Sequence, residues 1–141
     1  MQHFAIKKKF KMKQLTRHIF MVRPYRFRKN EQTSVNNYYQ ENIATLSDDQ
    51  IATQAQTEFD AMVSTLQSHG ISVTVVQDTE VPDTPDAIFP NNWISFHENH
   101  KIAVYPMFAS NRRLERSDLV LEALEHQGIT FNDVIDYTQP K

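Results

Sequence analysis

The same pattern occurs twice in this sequence, as Leu66-Gln-Ser-His-Gly-Ile-Ser-Val73 and as Leu124-Glu-His-Gln-Gly-Ile-Thr-Phe131. In both copies a leucine is followed four residues later by a glycine, and Gly70 and Gly128 are the two glycines of the chain. Because glycine readily adopts the left-handed conformation that ends a helix, each copy predicts a helix end followed by a strand. The glycines lie 58 residues apart, which indicates a structural unit repeated at that period.

The residues before each glycine predict the helices themselves. Ser47-Asp-Asp-Gln50 has the spacing of a capping box, in which a serine and a glutamine three residues later cap a helix start reciprocally. One apolar face follows at three- and four-residue steps, formed by Ile51, Ala55, Phe59, Met62 or Val63, and Leu66. The second helix is predicted to carry its apolar side on Leu114, Val120, Leu121 and Leu124.

Short apolar runs predict the strands around these helices. Single strands are expected at residues 18–23, 71–76 and 129–137, and a β-hairpin is expected where residues 93–96 and 102–105 flank a polar turn. The order strand, hairpin partner, helix, strand defines a ββαβ unit, of which the chain contains about two. Because repeat folds need roughly three neighbouring units for a continuous core, we expect an incomplete α/β fold. The chain would then be a fragment, or a shortened relative, of a longer protein.

Charge is distributed unevenly along the chain. Residues 1–29 contain ten of the fifteen basic side chains and no acidic one, whereas the remainder carries five basic and seventeen acidic residues. Such an arm can bind nucleic acid or an anionic membrane, or it can be a solvated segment that folds against an acidic body. Because no nucleic-acid module follows it, we interpret residues 1–14 as a flexible basic extension and expect no nucleic-acid partner.

The sequence has no signal for export, for a membrane span or for a metal site. The basic start lacks the apolar run of about 7 to 15 residues that an export signal needs, and no window approaches the roughly 20 apolar residues of a membrane span. The chain contains no cysteine, which excludes disulfides and cysteine-based metal sites. His97-Glu-Asn-His100 is one residue shorter than the zinc pattern His-Glu-x-x-His. We therefore expect a cytoplasmic protein with no membrane contact and no metal.

The stretch Thr84-Pro-Asp-Ala-Ile-Phe-Pro-Asn-Asn-Trp93 contains the first candidate site residues. Asp86, Asn91 and Asn92 can hold a planar group with several hydrogen-bond donors, and Arg112 can meet a carboxylate. The alternative is purely structural, because Asp and Asn commonly shape turns beside proline. An arginine near a helix start does not help the helix dipole, which favours a binding role for Arg112.

Simpler structural roles are expected for the neighbouring side chains. A solvated, salt-bridged face is predicted for the charged residues after Arg112, namely Arg113, Glu115 and Arg116. The hairpin core is predicted to contain three aromatic residues, Phe89, Trp93 and Phe96. The alternative for these aromatic residues is a wall that contacts a substrate.

Longer motifs extend over most of the chain and together resemble a known family. They are His18-Ile-Phe-Met-Val-Arg-Pro24, Asn36-Asn-Tyr-Tyr-Gln40, Glu58-Phe-Asp-Ala61, Asp78-Thr79, Thr84-Pro-Asp-Ala-Ile-Phe-Pro-Asn-Asn-Trp-Ile-Ser-Phe-His97 and Tyr105-Pro-Met-Phe-Ala-Ser-Asn-Arg-Arg-Leu-Glu-Arg116. In this order they resemble the start of the citrulline-utilisation hydrolase type of the guanidine-modifying superfamily. Arginine deiminases, dimethylarginine dimethylaminohydrolases and amidinotransferases are wider relatives.

The resemblance implies a fold and a chemistry. The fold is a five-bladed, pentein-like α/β propeller of ββαβ units, with the substrate in a central channel. In the reaction a cysteine thiolate attacks the central carbon of a guanidinium or ureido group, a histidine protonates the departing amine, and water releases the covalent intermediate. No position in this chain matches the cysteine or the catalytic histidine, so we expect no catalytic residue, no cofactor and no activity of the chain alone.

The resemblance also implies substrate-holding roles for four residues. Asp86 matches the carboxylate near the guanidinium group, and Arg112 matches the arginine that grips the substrate α-carboxylate with its bidentate fork. Asn91 and Asn92 fall where deiminase-type relatives usually carry acidic residues. Because an amide presents one acceptor and two donors, it suits a neutral ureido group at least as well as a cation. The expected ligand is a guanidino or ureido amino acid, and the amides favour a citrulline-like one.

Two hypotheses follow from these observations. In the first, residues 15–141 are the amino-terminal part of a propeller enzyme, and they supply residues that hold a guanidino or ureido substrate. In the second, the chain is a non-catalytic binding or assembly module derived from the same family. Such a module would pair with a complementing chain or with a second copy of itself.

Overall fold

The computed structural model describes residues 15–35, 37, 45–116 and 118–139. Within these ranges the chain is a mixed α/β protein with two small sheets, which confirms the predicted fold class at that level. The strands are β1 (His18–Arg23), β2 (Ser72–Gln77), β3 (Ile94–His97), β4 (Lys101–Val104) and β5 (Asp133–Asp136). The α-helices are α1 (Glu31–Ser34), α2 (Asp48–Ser68) and α3 (Asp118–His126), and 3-10 helices lie at Pro90–Asn92, Glu98–His100 and Asn111–Glu115. The predicted flexible extension at residues 1–14 lies outside the described residues.

The first sheet pairs β1 and β2 in parallel, with His18 opposite Ser72. A parallel pair needs a crossover connection, and α2 lies in that crossover. The predicted capping box begins this helix, because Ser47 accepts a hydrogen bond from the backbone N–H of Gln50 and the Gln50 side chain accepts one from the Ser47 N–H. The helix ends before Gly70, whose φ angle of 77° is left-handed, as predicted.

One side of α2 packs against the protein. Ala52 and Phe59 are buried and Val63 is half-buried, whereas Met62 is 54% exposed. The sequence left Met62 and Val63 as alternatives, and the structure selects Val63. Val63 lies eleven positions after Ala52, which is close to three full helical turns of about 3.6 residues each, so both side chains lie on the same face.

The second sheet has the predicted ββαβ order. β3 and β4 form an antiparallel hairpin, with Phe96 opposite Ile102, and Asn99 in the turn adopts a left-handed φ of 62°. The chain then passes through α3 and Gly128, which has a φ of 80°, and β5 pairs in parallel with β4. Within the described residues the first unit contains β1, α2 and β2, which correspond to β4, α3 and β5 of the second.

A shared apolar core connects the two units. Its buried members are Trp93, Ile94, Ile102, Val120 and Leu124, and half-buried side chains that include Phe20 of β1 and Val76 of β2 pack against them. Trp93 is 2% exposed, which confirms its predicted core position. This core supports the connection between β2 and β3, which contains Asp86, Asn91 and Asn92, whereas Arg112 follows β4.

Two predictions about packing are wrong. Leu114 was expected on the apolar side of the second helix, but it is 52% exposed and belongs to the separate 3-10 helix at Asn111–Glu115. Since α3 begins only at Asp118, Leu114 is not part of that helix. Phe96 was expected in the hairpin core but is 43% exposed, although its ring contacts Phe20 edge-on at 5.9 Å between ring centroids.

Candidate functional site

The stretch from Thr84 to Trp93 is a series of tight turns held against the core. Backbone hydrogen bonds run from Ala87 N–H to the Thr84 carbonyl and from Phe89 N–H to the Asp86 carbonyl. Pro90 then opens the 3-10 helix Pro90–Asn92, a position that suits proline because its missing N–H would have no partner there. These turns bring Asp86 and Asn92 close together.

Asp86 is a buried carboxylate with one oxygen occupied. The residue is 3% exposed. Its Oδ2 atom accepts hydrogen bonds from Asn30 Nδ2 at 2.7 Å and from Thr33 Oγ1 at 3.1 Å. No donor among the described residues contacts Oδ1. One carboxylate oxygen is therefore anchored, and the other is an acceptor without a donor among the described residues.

Arg112 lies beside Asp86, and its fork is already paired. Its Nε and Nη2 atoms donate to the two carboxylate oxygens of Glu115 at 2.8 and 3.0 Å, and Nη2 also donates to the Phe89 carbonyl at 3.2 Å. The distance from Nε to Asp86 Oδ2 is 3.9 Å. The bidentate edge expected to grip a substrate α-carboxylate thus binds a carboxylate of the protein itself.

The interpretation of Glu115 as part of a solvated face is wrong. The residue is 7% exposed, and its carboxylate forms a buried ion pair with Arg112. Burial raises the pKa of the Glu115 carboxyl above its ordinary value, although the hydrogen bonds from Arg112 act in the opposite direction. Arg113 is exposed, as expected, and its guanidinium donates to the carbonyls of Met107 and Phe108.

Asn92 joins the cluster through its amide oxygen. Arg112 Nη1 donates to Asn92 Oδ1 at 2.9 Å. No acceptor among the described residues contacts the amide nitrogen, which leaves its two N–H donors for solvent or a ligand. The structure therefore brings together Asp86, Asn92 and Arg112. Asn91 is exposed and does not belong to the cavity wall that the other three share.

A cavity of about 370 Å³ opens above this cluster, a size in the usual range for small-molecule sites. Its wall consists of Thr33, Asn37, Asp86, Phe89, Asn92, Met107, Phe108, Ala109 and Arg112. Phe89 was expected in the core, but it is 44% exposed and Phe108 is 72% exposed. Phe89 directly precedes the 3-10 helix at Pro90, and its ring contacts that of Phe27 edge-on. The cavity thus combines a polar floor with an aromatic wall.

Asn30 completes the polar floor, although no motif in the sequence indicated it. This residue is 2% exposed; besides Asp86, it exchanges hydrogen bonds with Asn111, at 2.9 Å from Asn111 Nδ2 to Asn30 Oδ1. Its side chain also caps α1. Gln32 accepts from Ser110 Oγ at 2.9 Å, which ties the same segment to the residues before Arg112. The sequence signal was weak, because an asparagine before a four-residue helix resembles an ordinary N-cap.

In the described part of the chain, neither a metal-binding cluster nor a membrane-spanning helix accompanies the cavity. No group of three or more metal-binding side chains is positioned there to hold an ion. None of the helices in those ranges combines the length and apolar character needed to cross a bilayer.

The mixed α/β fold is consistent with a protein of the guanidine-modifying superfamily, and a family comparison confirms this class. The family model described as N,N dimethylarginine dimethylhydrolase, eukaryotic, matches residues 23–141. The chain belongs to this family. The match indicates that the chain derives from guanidino-group hydrolases, in agreement with the resemblance seen in its motifs. No curated protein and no solved structure matches the chain.

Proposed function

We propose that this chain supplies the substrate-holding part of a hydrolase- or amidinotransferase-like enzyme that acts on guanidino or ureido amino acids. The observation that carries the proposal is the convergence of Asp86 and Asn92 on one cavity, each with an open hydrogen-bonding atom. The proposed arrangement of residues 15–141 is the first part of a five-bladed α/β propeller. The ββαβ order of the second unit and the family match support this arrangement.

The open atoms favour a ureido ligand over a guanidinium ligand. Asp86 Oδ1 offers an acceptor and Asn92 Nδ2 offers donors, whereas a ureido group carries an NH₂ donor and a carbonyl acceptor. A guanidinium group has donors alone, so one of its N–H groups would face the Asn92 amide nitrogen without a partner. The net charge of Asp86, Glu115 and Arg112 is negative by one unit, which favours a cation. We propose that the unfavourable N–H to N–H contact outweighs this attraction, because the Arg112 cation lies between the two carboxylates and offsets part of their charge.

Arg112 has a different proposed role from the one implied by the resemblance. Its Nε and Nη2 atoms are held by Glu115, so a substrate carboxylate can reach it only by displacing that pair or through Nη1. We therefore propose that Arg112 mainly shapes the floor of the cavity. The aromatic rings of Phe89 and Phe108 are positioned to cover the aliphatic part of a ligand.

The chain is proposed to hold its ligand without hydrolysing it. Covalent chemistry at a guanidino or ureido carbon needs an activated nucleophile, and the chain contains no thiol. In the enzyme hypothesis the thiolate and its histidine come from other residues of a complete propeller. The cavity described above provides orientation for that attack.

The assembly-module hypothesis has its own supporting observation. All four residues of β5 are exposed, and Val134 and Ile135 are 51% and 36% exposed. An exposed apolar edge strand offers unpaired backbone groups to another strand. This surface fits a complementing chain or a second copy of the protein, and size measurements in solution across protein concentrations would detect either.

Ligand titration tests the proposed function directly. L-citrulline and L-arginine are added to the isotopically labelled 141-residue chain, and nuclear magnetic resonance follows backbone and side-chain shifts. We expect both to perturb residues around Asp86 and Asn92, with tighter binding of citrulline. Replacing Asp86 by Ala should weaken binding on the order of tenfold or more, because a charge-assisted hydrogen bond is lost.

Asp133→Ala is the matched control, because Asp133 lies on exposed β5 outside the cavity wall. The Asp133→Ala variant should bind L-citrulline and L-arginine with the same affinity as the wild type. Absence of binding by either ligand, or shifts confined to other surfaces, would contradict the proposed site. Formation of ornithine, citrulline or ammonia by the purified chain would contradict the argument that it lacks the reacting nucleophile.

A further inference from the structure

The contact between Arg112 and Asn92 determines how the Asn92 amide is oriented. Arginine has five N–H donors and no acceptor, so the Asn92 atom that lies 2.9 Å from Arg112 Nη1 must be the amide oxygen. This conclusion follows from the chemistry of arginine and holds irrespective of how amide oxygen and nitrogen are distinguished in a structure. The NH₂ end of Asn92 therefore points away from Arg112.

Glu115 holds Arg112 in the position that produces this orientation. Two charge-assisted hydrogen bonds of 2.8 and 3.0 Å fix the guanidinium plane, and the side chain of Glu115 is 1% exposed. The bond from Nη2 to the Phe89 carbonyl adds a third anchor. With Nε and Nη2 engaged, Nη1 is the nitrogen left to face Asn92.

We infer that Glu115 is a positioning residue: through Arg112 it selects which end of the Asn92 amide faces the ligand, and so it sets the preference for ureido over guanidino groups. This inference rests on the proposed function and deepens it. The site presents an acceptor on Asp86 beside a donor on Asn92. This pairing of acceptor and donor depends on Glu115, whose side chain does not contact the ligand.

Another role for the same residues makes a different prediction. If Arg112 instead grips the ligand α-carboxylate, loss of Glu115 would free its fork and tighten binding of amino acids, with no effect on ligands that lack a carboxylate. If Glu115 acts through the Asn92 amide, its loss changes the ureido-to-guanidino preference whether or not the ligand has a carboxylate. Ligands with and without that group therefore separate the two roles.

The experiment compares four ligands with the 141-residue chain: L-citrulline, L-arginine, N-propylurea and N-propylguanidine. Dissociation constants are measured by magnetic-resonance titration for the wild type and for Glu115→Gln. We expect the ureido-to-guanidino affinity ratio to fall on the order of tenfold in the variant, by a similar factor in both ligand pairs, because a freed amide can rotate to accept from a guanidinium. Glu125→Gln, an exposed change on α3, should leave both ratios unchanged.

A second variant isolates the amide itself. Asn92→Asp presents an acceptor at both ends of the side chain and should shift the preference toward guanidino ligands. Adding Glu115→Gln to Asn92→Asp should then change the ratio no further, since there is no amide left to orient. A purely structural role of Glu115 would lower all four affinities together and leave both ratios as they were, and that result would overturn the inference.

The wild type provides a test that does not require the buried variant to fold. On addition of N-propylurea, the side-chain NH₂ resonances of Asn92 should shift more than on addition of N-propylguanidine. Equal shifts, or no shift with N-propylurea, would overturn the inference. If the wild type binds none of the four ligands, both the proposed function and this inference are wrong. If it binds in an Asp86-dependent way but Glu115→Gln leaves the ratios unchanged, the inference alone fails.

Discussion

Two arginine–carboxylate pairs in this protein have nearly the same geometry and differ in burial. Arg112 and Glu115 form two hydrogen bonds of 2.8 and 3.0 Å, and Arg28 and Asp83 form two of 2.8 and 2.5 Å. The side chains of the first pair are 10% and 1% exposed, whereas those of the second are 24% and 59% exposed. Burial therefore decides what each pair contributes.

The physical reason is the energy of removing a charge from water. A buried ion that loses its partner cannot be rehydrated, so breaking such a pair is costly even where the intact pair adds little net stability. An exposed ion that loses its partner is simply solvated. The buried pair can for this reason fix the geometry of the candidate site, whereas the exposed pair has little effect beyond the surface.

Of the substitutions that test this comparison, the replacement of Arg112 should have the largest effect on the free energy of unfolding. Replacing Arg112 by Met leaves Glu115 and the anchored oxygen of Asp86 without their cation, and we expect a loss of about 3–5 kcal/mol in the free energy of unfolding. Urea unfolding followed by fluorescence measures it, because Trp93 is the single tryptophan of the chain and lies in the core. A loss below about 1 kcal/mol would show that this pair behaves like an exposed one.

The pH dependence of stability should have opposite signs at the two pairs. Burial raises the pKa of Glu115 above its ordinary value of 4.5. The folded protein then binds this proton more tightly than the unfolded chain does. The stability from Glu115 is present below about pH 4.5 and is lost as the pH rises through its folded pKa. Arg28 lowers the pKa of Asp83 below 3.8, so the stability from Asp83 is present above that value and is lost as the pH falls through its folded pKa.

Thermal unfolding between about pH 3 and pH 7 tests both signs. Relative to Glu115→Gln, the wild type should lose stability as the pH rises. Relative to Asp83→Asn, it should lose stability as the pH falls toward the acid end. Parallel curves for wild type and Glu115→Gln would mean that the Glu115 pKa is not raised in the folded protein.

The smallest expected effect belongs to the exposed pair. Replacing Arg28 by Met should change the free energy of unfolding by about 0–1 kcal/mol, because both charges remain accessible to water and salt. The difference should shrink further in 1 M sodium chloride. A salt-independent loss of several kcal/mol would place this pair in the same class as Arg112 and Glu115.

Local structure was largely predictable from local sequence. The capping box at Ser47 and Gln50 and the left-handed ends at Gly70 and Gly128 depend on neighbouring residues, and the structure confirms them. The hairpin formed by β3 and β4 was likewise predictable from two apolar runs around a polar turn. Leu114 was misplaced because periodicity alone does not show that a 3-10 helix and an α-helix are separate elements.

The site was predictable only in part, for the same reason. Motif order indicated Asp86, Asn92 and Arg112, and the structure brings these residues into one cluster. The buried state of Glu115, three residues after Arg112, was missed because a charged run normally indicates a solvated face. Asn30 was missed because it reaches Asp86 across 56 positions of sequence, and no local pattern records a contact of that length.

The sequence by itself determined the repeated helix ends, the strands between them, the family and the absence of a thiol. Each of these depends on residue identity or on short-range spacing. The tertiary structure alone decided which charged groups lose contact with water, and thereby that the fork of Arg112 binds Glu115 and that the Asn92 oxygen is occupied. The physical reason is that desolvation and hydrogen-bond partners depend on what surrounds a side chain in three dimensions, which residue type and spacing do not specify.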